Sequence, residues 1–517
     1  MGLVMLIVGF IVLWALIADA ERKKRIRQYT DFHPTPVLNK GRKSSAGFAD
    51  KKALRPLLKR VGVRIGHWEN RVLRYSGPGH ILICAAARKG KGISILIPLL
   101  LDPFVNIRGK TGSRLIIDPK AENYHVTARN ARKFSDVVVL DPMGIAKPIK
   151  GVKRVGLNVV VGLDPRSNTY GSDVSGISEG IVVPGTDGEN GRHFNETGRQ
   201  GLGTTIRIVR QFYPADKQNL VEVRKVIAGD FYGFCRKYAH CGDEVIENGC
   251  SRWAAPRAEE SRELESVRST MLTQTEFIEQ EGIREFLKGP PPPWADMKRK
   301  AITAYCTMSL SQLATESGGK LFRLALATGL ATFMKEGERG GGLHVQIVCD
   351  EFFSACAGAP LRAWQTALSN AAGASQCQLV TVIQDLGQIE SLYPHNGWRT
   401  FLANSAVQIY FGCQGDKESS ERIAQISGQQ EMVARQRSVN GSFEHTGVTW
   451  GESIAPHWEP VIQPWEVRNM TNSEALVVCE GVGAVIKIQR KPYFETREFR
   501  GRYDDNPLYH GRRRFWR

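Results

Sequence analysis

Short apolar runs alternate with amphipathic stretches over two parts of the chain. Between residues 51 and 165, apolar runs such as 81–85, 115–118 and 137–141 are separated by stretches with helical spacing. The alternation returns from about residue 300 to about 430. This pattern predicts the strands and helices of a parallel α/β sheet. Residues 432–460 read as loop-rich, and residues 461–494 predict a last helix and a closing hairpin.

The middle of the chain has a different pattern. Between residues 168 and 288, strand-like runs are scarce and apolar residues recur at helical spacing, as in 269–287. Gly289 and the prolines at 290–293 end this part. The sequence therefore predicts an α/β core in two parts, 51–167 and 289–517 with the C-terminal tail, separated by an all-α domain at 168–288.

The N-terminal 18 residues contain no charged side chain. As a helix they would measure about 27 Å, which is enough to cross a bilayer. A basic run at 22–27 follows, and the apolar stretch has no positive charge before it, unlike a signal peptide. We expect a transmembrane helix at 1–18, a juxtamembrane linker at 19–50 and a cytoplasmic body. A buried globular helix is the alternative.

The charge balance narrows the range of partners. The net charge is +18 and the pI is about 9.5, which favours nucleic acid or an anionic membrane surface, although solvated surface charge is the simpler explanation. The ten cysteines form no disulfide framework, so a reducing compartment is expected. The spacing of Cys235, His240, Cys241 and Cys250 matches no usual zinc site.

Residues 81–92, ILICAAARKGKG, contain the first candidate for chemistry. An apolar strand runs into a glycine-containing loop, and an apolar helix follows. This order predicts a phosphate-binding loop in which N–H groups face the anion and Lys91 neutralises the terminal phosphates. Its candidate residues are Ala85, Ala86, Ala87, Arg88, Lys89, Gly90, Lys91, Gly92 and Ile93. Ala85 and Gly92 depart from the usual pattern, G-x-x-x-x-G-K-[ST], so a basic turn is the competing interpretation.

Two later strand ends add candidate residues. The strand at 345–349 runs into Asp350 and Glu351, which suits an aspartate for Mg²⁺ and a glutamate that activates water. Asp118 and Asp141 also follow apolar runs, but each precedes a proline and is predicted to end a further strand. A third strand, 379–383, ends at Gln384, which we expect to sense the γ-phosphate. Acidic pairs and glutamines at strand ends are also common without function.

Together these segments resemble the type IV secretion coupling proteins of the TraG/TraD type. The resemblance covers about residues 46–506 and includes AGFAD, LIIDPKAENYHVTARNAR, VVVLDP, CDEFF, VIQDLGQIESLY and FLANSAVQIYFGC. It implies an α/β fold: a RecA-like P-loop ATPase core with an inserted all-α domain and an N-terminal transmembrane helix. It also implies binding of ATP and Mg²⁺, with Lys91, Glu351 and Gln384 catalytic and Asp350 the metal ligand.

Three features depart from that family. Relatives usually carry two membrane spans, so either a first span is missing or this is a one-span variant. An arginine finger is expected just before the sensor glutamine, yet residues 363–398 contain no Lys or Arg, which leaves Arg362 and Arg399 as candidates. The chain ends in GRRRFWR rather than in an acidic tail, and this end is either solvated or in contact with DNA or lipid.

The resemblance implies an inner-membrane coupling ATPase that recruits a relaxase–DNA or effector-protein substrate and drives its transfer. Its implied partners are single-stranded DNA bound without sequence preference, the relaxase or effector, other secretion-system ATPases and inner-membrane components, the membrane itself, and further copies in a homohexamer. Two alternatives stay open: a substrate-docking receptor that is not a motor, and an FtsK-like pump of double-stranded DNA.

Overall fold

The computed structural model describes residues 47–508 apart from 106–108, 184–187, 256–260, 314, 339–341, 371–375, 414, 416 and 442–447. Before residue 47 it describes only residues 2, 9, 13–21, 23, 35 and 36. The chain folds into two compact units. The smaller comprises residues 1–48 with 420–467, and the larger comprises 49–419 with 468–517.

The strands are short and most of them are buried. In chain order they are β1 Thr35–Pro36, β2 Val63–Trp68, β3 Arg71–Tyr75, β4 His80–Ala85, β5 Ser113–Pro119, β6 Asp136–Leu140, β7 Lys153–Val155, β8 Ile302–Met308, β9 Val345–Asp350, β10 Cys377–Ile383, β11 Ser405–Phe411, β12 Gln429–Gly441, β13 Val448–Pro460, β14 Glu474–Cys479 and β15 Ile486–Gln489.

The larger unit contains a 12-stranded sheet in the order β3-β2-β15-β14-β11-β4-β10-β9-β5-β8-β6-β7. From β11 to β7 every neighbouring pair is parallel, and the strands on the other side of β11 are antiparallel. The central strands β4, β5, β8 and β10 are buried along their whole length. Strands that are buried along their whole length suit a parallel sheet covered on both faces.

The helices follow the strands. In chain order they are α1 Ile97–Leu101, α2 Glu122–Ala131, α3 Tyr170–Ile181, α4 Gly188–Phe212, α5 Leu220–Ala228, α6 Phe231–Tyr238, α7 Glu244–Ala254, α8 Ser261–Thr275, α9 Glu281–Lys288, α10 Leu310–Leu313, α11 Glu316–Glu338, α12 Phe352–Ala355, α13 Arg362–Asn370, α14 Leu386–Leu392, α15 Arg399–Ala403, α16 Lys417–Ile426 and α17 Pro464–Arg468.

Between β7 and β8, the regular structure of the described residues is helical, from α3 to α9 with short 3-10 turns. Several of these helices begin at side-chain caps. Asn219 accepts from the Glu222 amide, Asp230 from Gly233 and Asp243 from Ile246, which satisfies N–H groups that a helix start leaves exposed. The helices belong to the same compact unit as the large sheet, and the domain boundaries at 168 and 288 stay predictions.

The prediction that residues 432–460 are loop-rich is wrong. β12 and β13 form a long antiparallel ladder that pairs Gln429 with Pro460 and Gly441 with Val448, and β1 pairs with β12 in the smaller unit. The segment has few apolar residues and no clear period-two pattern, which is what sequence reading uses to detect strands. The two strands of a hairpin pair through backbone hydrogen bonds, which do not depend on the side-chain pattern. A search for alternating apolar residues can therefore miss them. The closing hairpin β14–β15 and the preceding helix α17 are confirmed.

Most of the apolar stretch at 1–18 lies outside the described residues, as does the arginine-rich end of the chain. Within the part that the structure describes, no helix combines the length and the hydrophobicity needed to cross a bilayer.

The helix after β4 is fixed at its C-terminal end by a buried arginine. Arg114 on β5 is 3 % exposed, and its guanidinium donates to the carbonyls of Leu99 (3.1 Å), Leu100 (3.2 Å) and Asp102 (2.6 Å). The last carbonyls of a helix have no partner within the helix, so these bonds satisfy them. This contact holds α1 against the sheet and thereby positions the loop at the helix start.

Candidate active site

The predicted phosphate loop lies at the C-terminal end of β4, in the middle of the sheet. Ala85 is the buried last residue of β4, and residues 86–91 turn the chain before a single π-helical turn, Gly92–Leu96, continues into α1. Arg88 and Gly90 have left-handed φ angles of 61° and 79°. The Ser94 hydroxyl donates to the Gly90 carbonyl at 2.8 Å. Ligands of parallel α/β sheets bind at this edge, and the assignment of this loop to phosphate stays a prediction.

A buried arginine that the sequence analysis missed holds this loop. Arg490, directly after β15, is 2 % exposed. Its guanidinium donates to the Lys89 carbonyl at 3.1 Å and to the Ser94 hydroxyl at 2.8 Å, and it lies 3.7 Å from the centre of the Phe411 ring. It also donates to the carbonyl of Glu474 at 3.1 Å. Burial lowers the pKa of Arg490 to about 9. The contacts tie the loop to the closing hairpin.

Three of the predicted catalytic side chains meet in one contact. The Lys91 ammonium lies 2.8 Å from Glu351 Oε1, and Gln384 Nε2 donates to Glu351 Oε2 at 3.0 Å. The side chains of Lys91 and Glu351 are only 12 % and 19 % exposed. Strands β4, β9 and β10 are neighbours in the sheet, so their C-terminal ends bring these residues together.

Glu351 adopts a backbone conformation that L-residues rarely take. Its φ and ψ are 85° and 60°, in the left-handed region. A non-glycine residue there costs of order 1–3 kcal/mol, and such residues cluster at functional sites. Burial opposes ionisation of this carboxyl, but the charge and hydrogen bond of Lys91 and the hydrogen bond of Gln384 outweigh it and lower the pKa of Glu351. The carboxylate is therefore ionised and turned toward the loop.

Asp350, the predicted metal ligand, is incompletely satisfied. Asn123 Nδ2 lies 3.4 Å from Asp350 Oδ2, whereas the buried Oδ1 has no hydrogen-bond partner among the described residues. Burial raises the pKa of Asp350, and the charge of Lys91 partly offsets this. A buried carboxylate oxygen without a donor is unusual in a folded protein. It suits a cation that binds through oxygen.

The neighbouring strand β5 contributes residues that the sequence analysis did not assign to the site. Asp118 Oδ2 accepts from the Tyr124 amide at 2.7 Å, and its Oδ1 accepts from the amide and the side chain of Asn123, both at 3.2 Å. Glu122 begins α2 beside the loop. Burial raises the pKa of Glu122, hydrogen bonding from Asn506 opposes this, and the charge of Asp350 adds to the rise. The sequence signal was the polar run DPKAEN directly after an apolar strand.

The residues present fit a hard divalent cation. Mg²⁺ prefers carboxylate and amide oxygens, and Asp350 Oδ1 and Asn123 Oδ1 are both buried without a hydrogen-bond partner among the described residues. Among the described residues no group of three or more His, Cys, Asp or Glu side chains is placed to hold a metal ion by itself, so phosphate oxygens and water would have to complete the coordination. The two arginine-finger candidates, Arg362 and Arg399, begin α13 and α15 with exposed side chains, and neither contacts Glu351 or Lys91.

The sequence profile described as "Type IV secretory system Conjugative DNA transfer" matches residues 14–508 of the chain. The chain belongs to this family. Membership agrees with the resemblance drawn from the strand-end motifs and extends it over almost the whole length.

Among curated proteins of the family, Protein VirD4 of Agrobacterium fabrum is 23% identical over 465 residues, which cover 84% of this chain and 61% of VirD4. Conjugal transfer protein TraG of Escherichia coli is 34% identical over 85 residues, 16% of this chain and 12% of TraG. The chain thus spans about three fifths of the VirD4 relative's length.

Solved structures of the plasmid coupling protein TrwB share the fold. TrwB in complex with the non-hydrolysable GTP analogue GDPNP superimposes with a TM-score of 0.62 at 16% identity, covering 86% of this chain and 93% of TrwB. TrwB in complex with ADP and Mg²⁺ gives 0.60 at 15% identity, covering 86% and 93% of the two chains. The predicted α/β fold with a large parallel sheet is therefore confirmed.

Proposed function

We propose that this protein is the coupling ATPase of a type IV secretion or conjugation system, with a RecA-like P-loop core that hydrolyses ATP. The observation that carries the proposal is the contact of Lys91 with Glu351 at 2.8 Å and of Gln384 with Glu351 at 3.0 Å. A P-loop ATPase needs a lysine that binds the phosphates, a glutamate that activates water and a residue that senses the γ-phosphate. Lys91, Glu351 and Gln384 suit these three roles and follow the neighbouring strands β4, β9 and β10. The nucleotide complexes of TrwB support the same assignment.

The ion pair suggests how binding and hydrolysis are linked. When the β- and γ-phosphates bind, their negative charge competes with the Glu351 carboxylate for the three N–H donors of Lys91. The carboxylate then accepts a proton from the attacking water, as a general base does. Gln384 Nε2, which donates to Glu351 Oε2, keeps that carboxylate oriented and is positioned to respond to the γ-phosphate.

Asp350 and its neighbours would hold the magnesium ion at the same edge of the sheet. When bound, the ion neutralises charge that develops on the phosphate oxygens. The chain's own residues supply the surrounding constraint: Asn123 bonds to both Asp118 and Asp350, so the two strand ends β5 and β9 are held together.

The rest of the proposal concerns partners and location. We assign substrate choice to the helices between residues 168 and 288, because they lie between core strands and contain none of the three motifs. The net charge of +18 supports contact with DNA phosphates, which is independent of sequence. A homohexamer at the bacterial inner membrane, anchored by residues 1–18 and working with other secretion-system components, completes the proposal. The uncharged stretch followed by a basic run supports the anchor and the cytoplasmic body.

A motor is favoured over a docking receptor because Lys91, Glu351 and Gln384 are all present and in contact, and because Glu351 is held in a strained conformation. The test is ATP hydrolysis by the full-length protein in lipid nanodiscs, with single-stranded or double-stranded DNA added at increasing salt. We expect stimulation by single strands that weakens steeply with salt and disappears in Lys91→Ala. Hydrolysis that persists in Lys91→Ala would contradict the P-loop assignment. ATP binding without hydrolysis would support the receptor, and stimulation by double strands alone would support the FtsK-like pump.

A further inference from the structure

The phosphate loop lacks one group that P-loop ATPases use to hold magnesium. The residue after the loop lysine is usually Ser or Thr, whose hydroxyl binds the ion, and here it is Gly92. Nothing in the backbone requires glycine at this position. Its φ lies outside the left-handed region, and a Cβ placed on it would meet no atom closer than 3.7 Å. The position that the hydroxyl would fill on the ion must therefore be taken by another oxygen, from water or from a different side chain.

Glu122 places a carboxylate there. The nearest atom to a Cβ on Gly92 is Glu122 Oε1 at 3.7 Å, and Oε2 follows at 3.9 Å. The chain reaches this position through two left-handed residues after β5, Lys120 with φ 91° and Ala121 with φ 57°. Left-handed conformations at non-glycine residues are costly, and a pair of them beside the loop indicates that the place of Glu122 is tightly specified.

Two oxygens with unused bonding capacity belong to Asn123, the next residue of α2, and to Asp350, whose charge acts on Glu122. Asn123 is 1 % exposed, and its Oδ1 has no partner among the described residues. The same holds for Asp350 Oδ1. One contact does fix Glu122: Asn506 Nδ2 donates to Oε1 at 2.8 Å. Buried oxygens without donors, next to a carboxylate, match the oxygen coordination of Mg²⁺.

We propose that Glu122 supplies a direct oxygen ligand to the nucleotide-bound Mg²⁺, in place of the hydroxyl that Gly92 lacks. The inference rests on the proposed ATPase function and deepens it. In this arrangement α2, which follows β5, contributes to the metal site, and the loop lysine acts on the phosphates alone. A purely structural Glu122 that serves only to bind Asn506 is the alternative.

The experiment measures binding of a fluorescent non-hydrolysable ATP analogue to the full-length protein in nanodiscs, as a function of Mg²⁺ and also in EDTA. The variants are Glu122→Gln, Gly92→Ser and the double variant, with Glu390→Gln as the matched control. The control makes the same change from carboxylate to amide at an exposed residue of α14, away from the loop. Thermal unfolding of each variant shows whether it is folded.

We expect Glu122→Gln to raise the Mg²⁺ concentration for half-maximal binding by at least about tenfold, with binding in EDTA unchanged. Gly92→Ser in the Glu122→Gln background should restore the Mg²⁺ dependence, because the serine hydroxyl takes the position of the lost ligand. Glu390→Gln should behave like wild type. A structural role of Glu122 would not be rescued by a serine at position 92.

Three results would overturn the inference: an unchanged Mg²⁺ dependence in Glu122→Gln, an equal loss of binding with and without Mg²⁺, or failure of Gly92→Ser to rescue a folded double variant. A change of the Mg²⁺ dependence in Glu390→Gln equal to that in Glu122→Gln would overturn it as well, because the effect would then not be specific to the carboxylate beside Gly92. Absence of nucleotide binding in the wild type would instead contradict the proposed ATPase function.

Discussion

Strands β5, β6 and β9 all run in parallel and lead into an aspartate at the same edge of the sheet, yet the aspartates differ in what they contact. Asp118 accepts hydrogen bonds from the amides of Asn123 and Tyr124, and Asp141 accepts them from the amides of Ile145 and Ala146. These two carboxylates accept hydrogen bonds from the segments that follow their strands, and they stabilise the turns there. Asp350 instead has a buried oxygen without a partner among the described residues.

The residue after each aspartate separates the two cases. Pro119 and Pro142 follow Asp118 and Asp141, and in both segments the carboxylate accepts hydrogen bonds from backbone N–H groups four to six residues further along the chain. Glu351 follows Asp350 and takes a left-handed conformation that turns its own carboxylate toward Lys91. Aspartate–proline therefore ends a strand structurally, and aspartate–glutamate ends it with groups available for chemistry.

The largest expected effect comes from a substitution directly after β9, where Glu351 is proposed to activate water. Glu351→Gln should lower ATP turnover about 10²–10⁴-fold, because an amide cannot accept the proton of the attacking water. Binding of ATP should persist, since the residues that hold the phosphates remain. Steady-state hydrolysis and equilibrium binding of an ATP analogue measure the two properties separately.

The matched control is Glu390→Gln, an exposed carboxylate on α14, which should hydrolyse ATP at the wild-type rate. If Glu351→Gln turned over ATP normally, the β9 end would be structural like those of β5 and β6.

The second prediction concerns Asp350, the proposed metal ligand. Asp350→Asn should weaken Mg²⁺-dependent nucleotide binding by about tenfold or more. The same change should leave the melting temperature of the nucleotide-free protein unchanged or higher. Burial raises the pKa of Asp350 above its unfolded value, so the ionised carboxylate opposes folding at neutral pH and a neutral amide removes that cost. Calorimetry without nucleotide and a magnesium titration of binding would check both statements. A large drop in melting temperature would place Asp350 with the structural aspartates.

Sequence reading reached most of this site because the informative residues follow apolar strands directly. Lys91, Asp350, Glu351 and Gln384 each stand within a few residues of a buried strand, and parallel strands bring such ends together. Arg490 could not be found in this way, because its contact with Ser94 spans 396 positions along the chain. No local pattern reports a contact of that separation.

Fold elements with a local sequence pattern were predicted, and an element without such a pattern was missed. Buried strands such as β4 and β10 are continuous apolar runs and were recognisable. The β12–β13 hairpin was missed because backbone pairing between adjacent segments leaves no necessary apolar period. Glu122 and Asn123 lay in a segment that was noticed only for its strand and for its family resemblance. Their chemistry became visible when α2 placed them beside Gly92 and Asp350.

The third prediction tests whether Arg490 supports the phosphate loop, whose Lys91 contacts Glu351 after β9. Arg490→Lys should raise the KM for ATP several-fold and lower the free energy of unfolding by about 1–3 kcal/mol, because one ammonium cannot replace the guanidinium bonds to Lys89, Ser94 and Glu474. ATPase kinetics and denaturant unfolding measure these changes. The exposed Arg500→Lys is the control and should match the wild type. Unchanged KM in a destabilised Arg490→Lys would show that the closing hairpin supports the fold and not the loop.

The smallest expected effect comes from Asp141, directly after β6, to which we assign only a structural role. Asp141 is fully buried at its side chain, and besides the amides of Ile145 and Ala146 it accepts from Thr307 Oγ1 at 3.1 Å and from Arg154 at 2.8 Å. Asp141→Asn keeps the shape but turns one acceptor into a donor facing another donor, which should lower the free energy of unfolding by about 1–3 kcal/mol. ATP turnover and the Mg²⁺ dependence of binding should stay at wild-type values, opposite to the pattern for Asp350→Asn. Urea unfolding and ATPase assays of the two variants side by side give the comparison, and a loss of Mg²⁺-dependent binding in Asp141→Asn would remove the distinction between the two kinds of strand end.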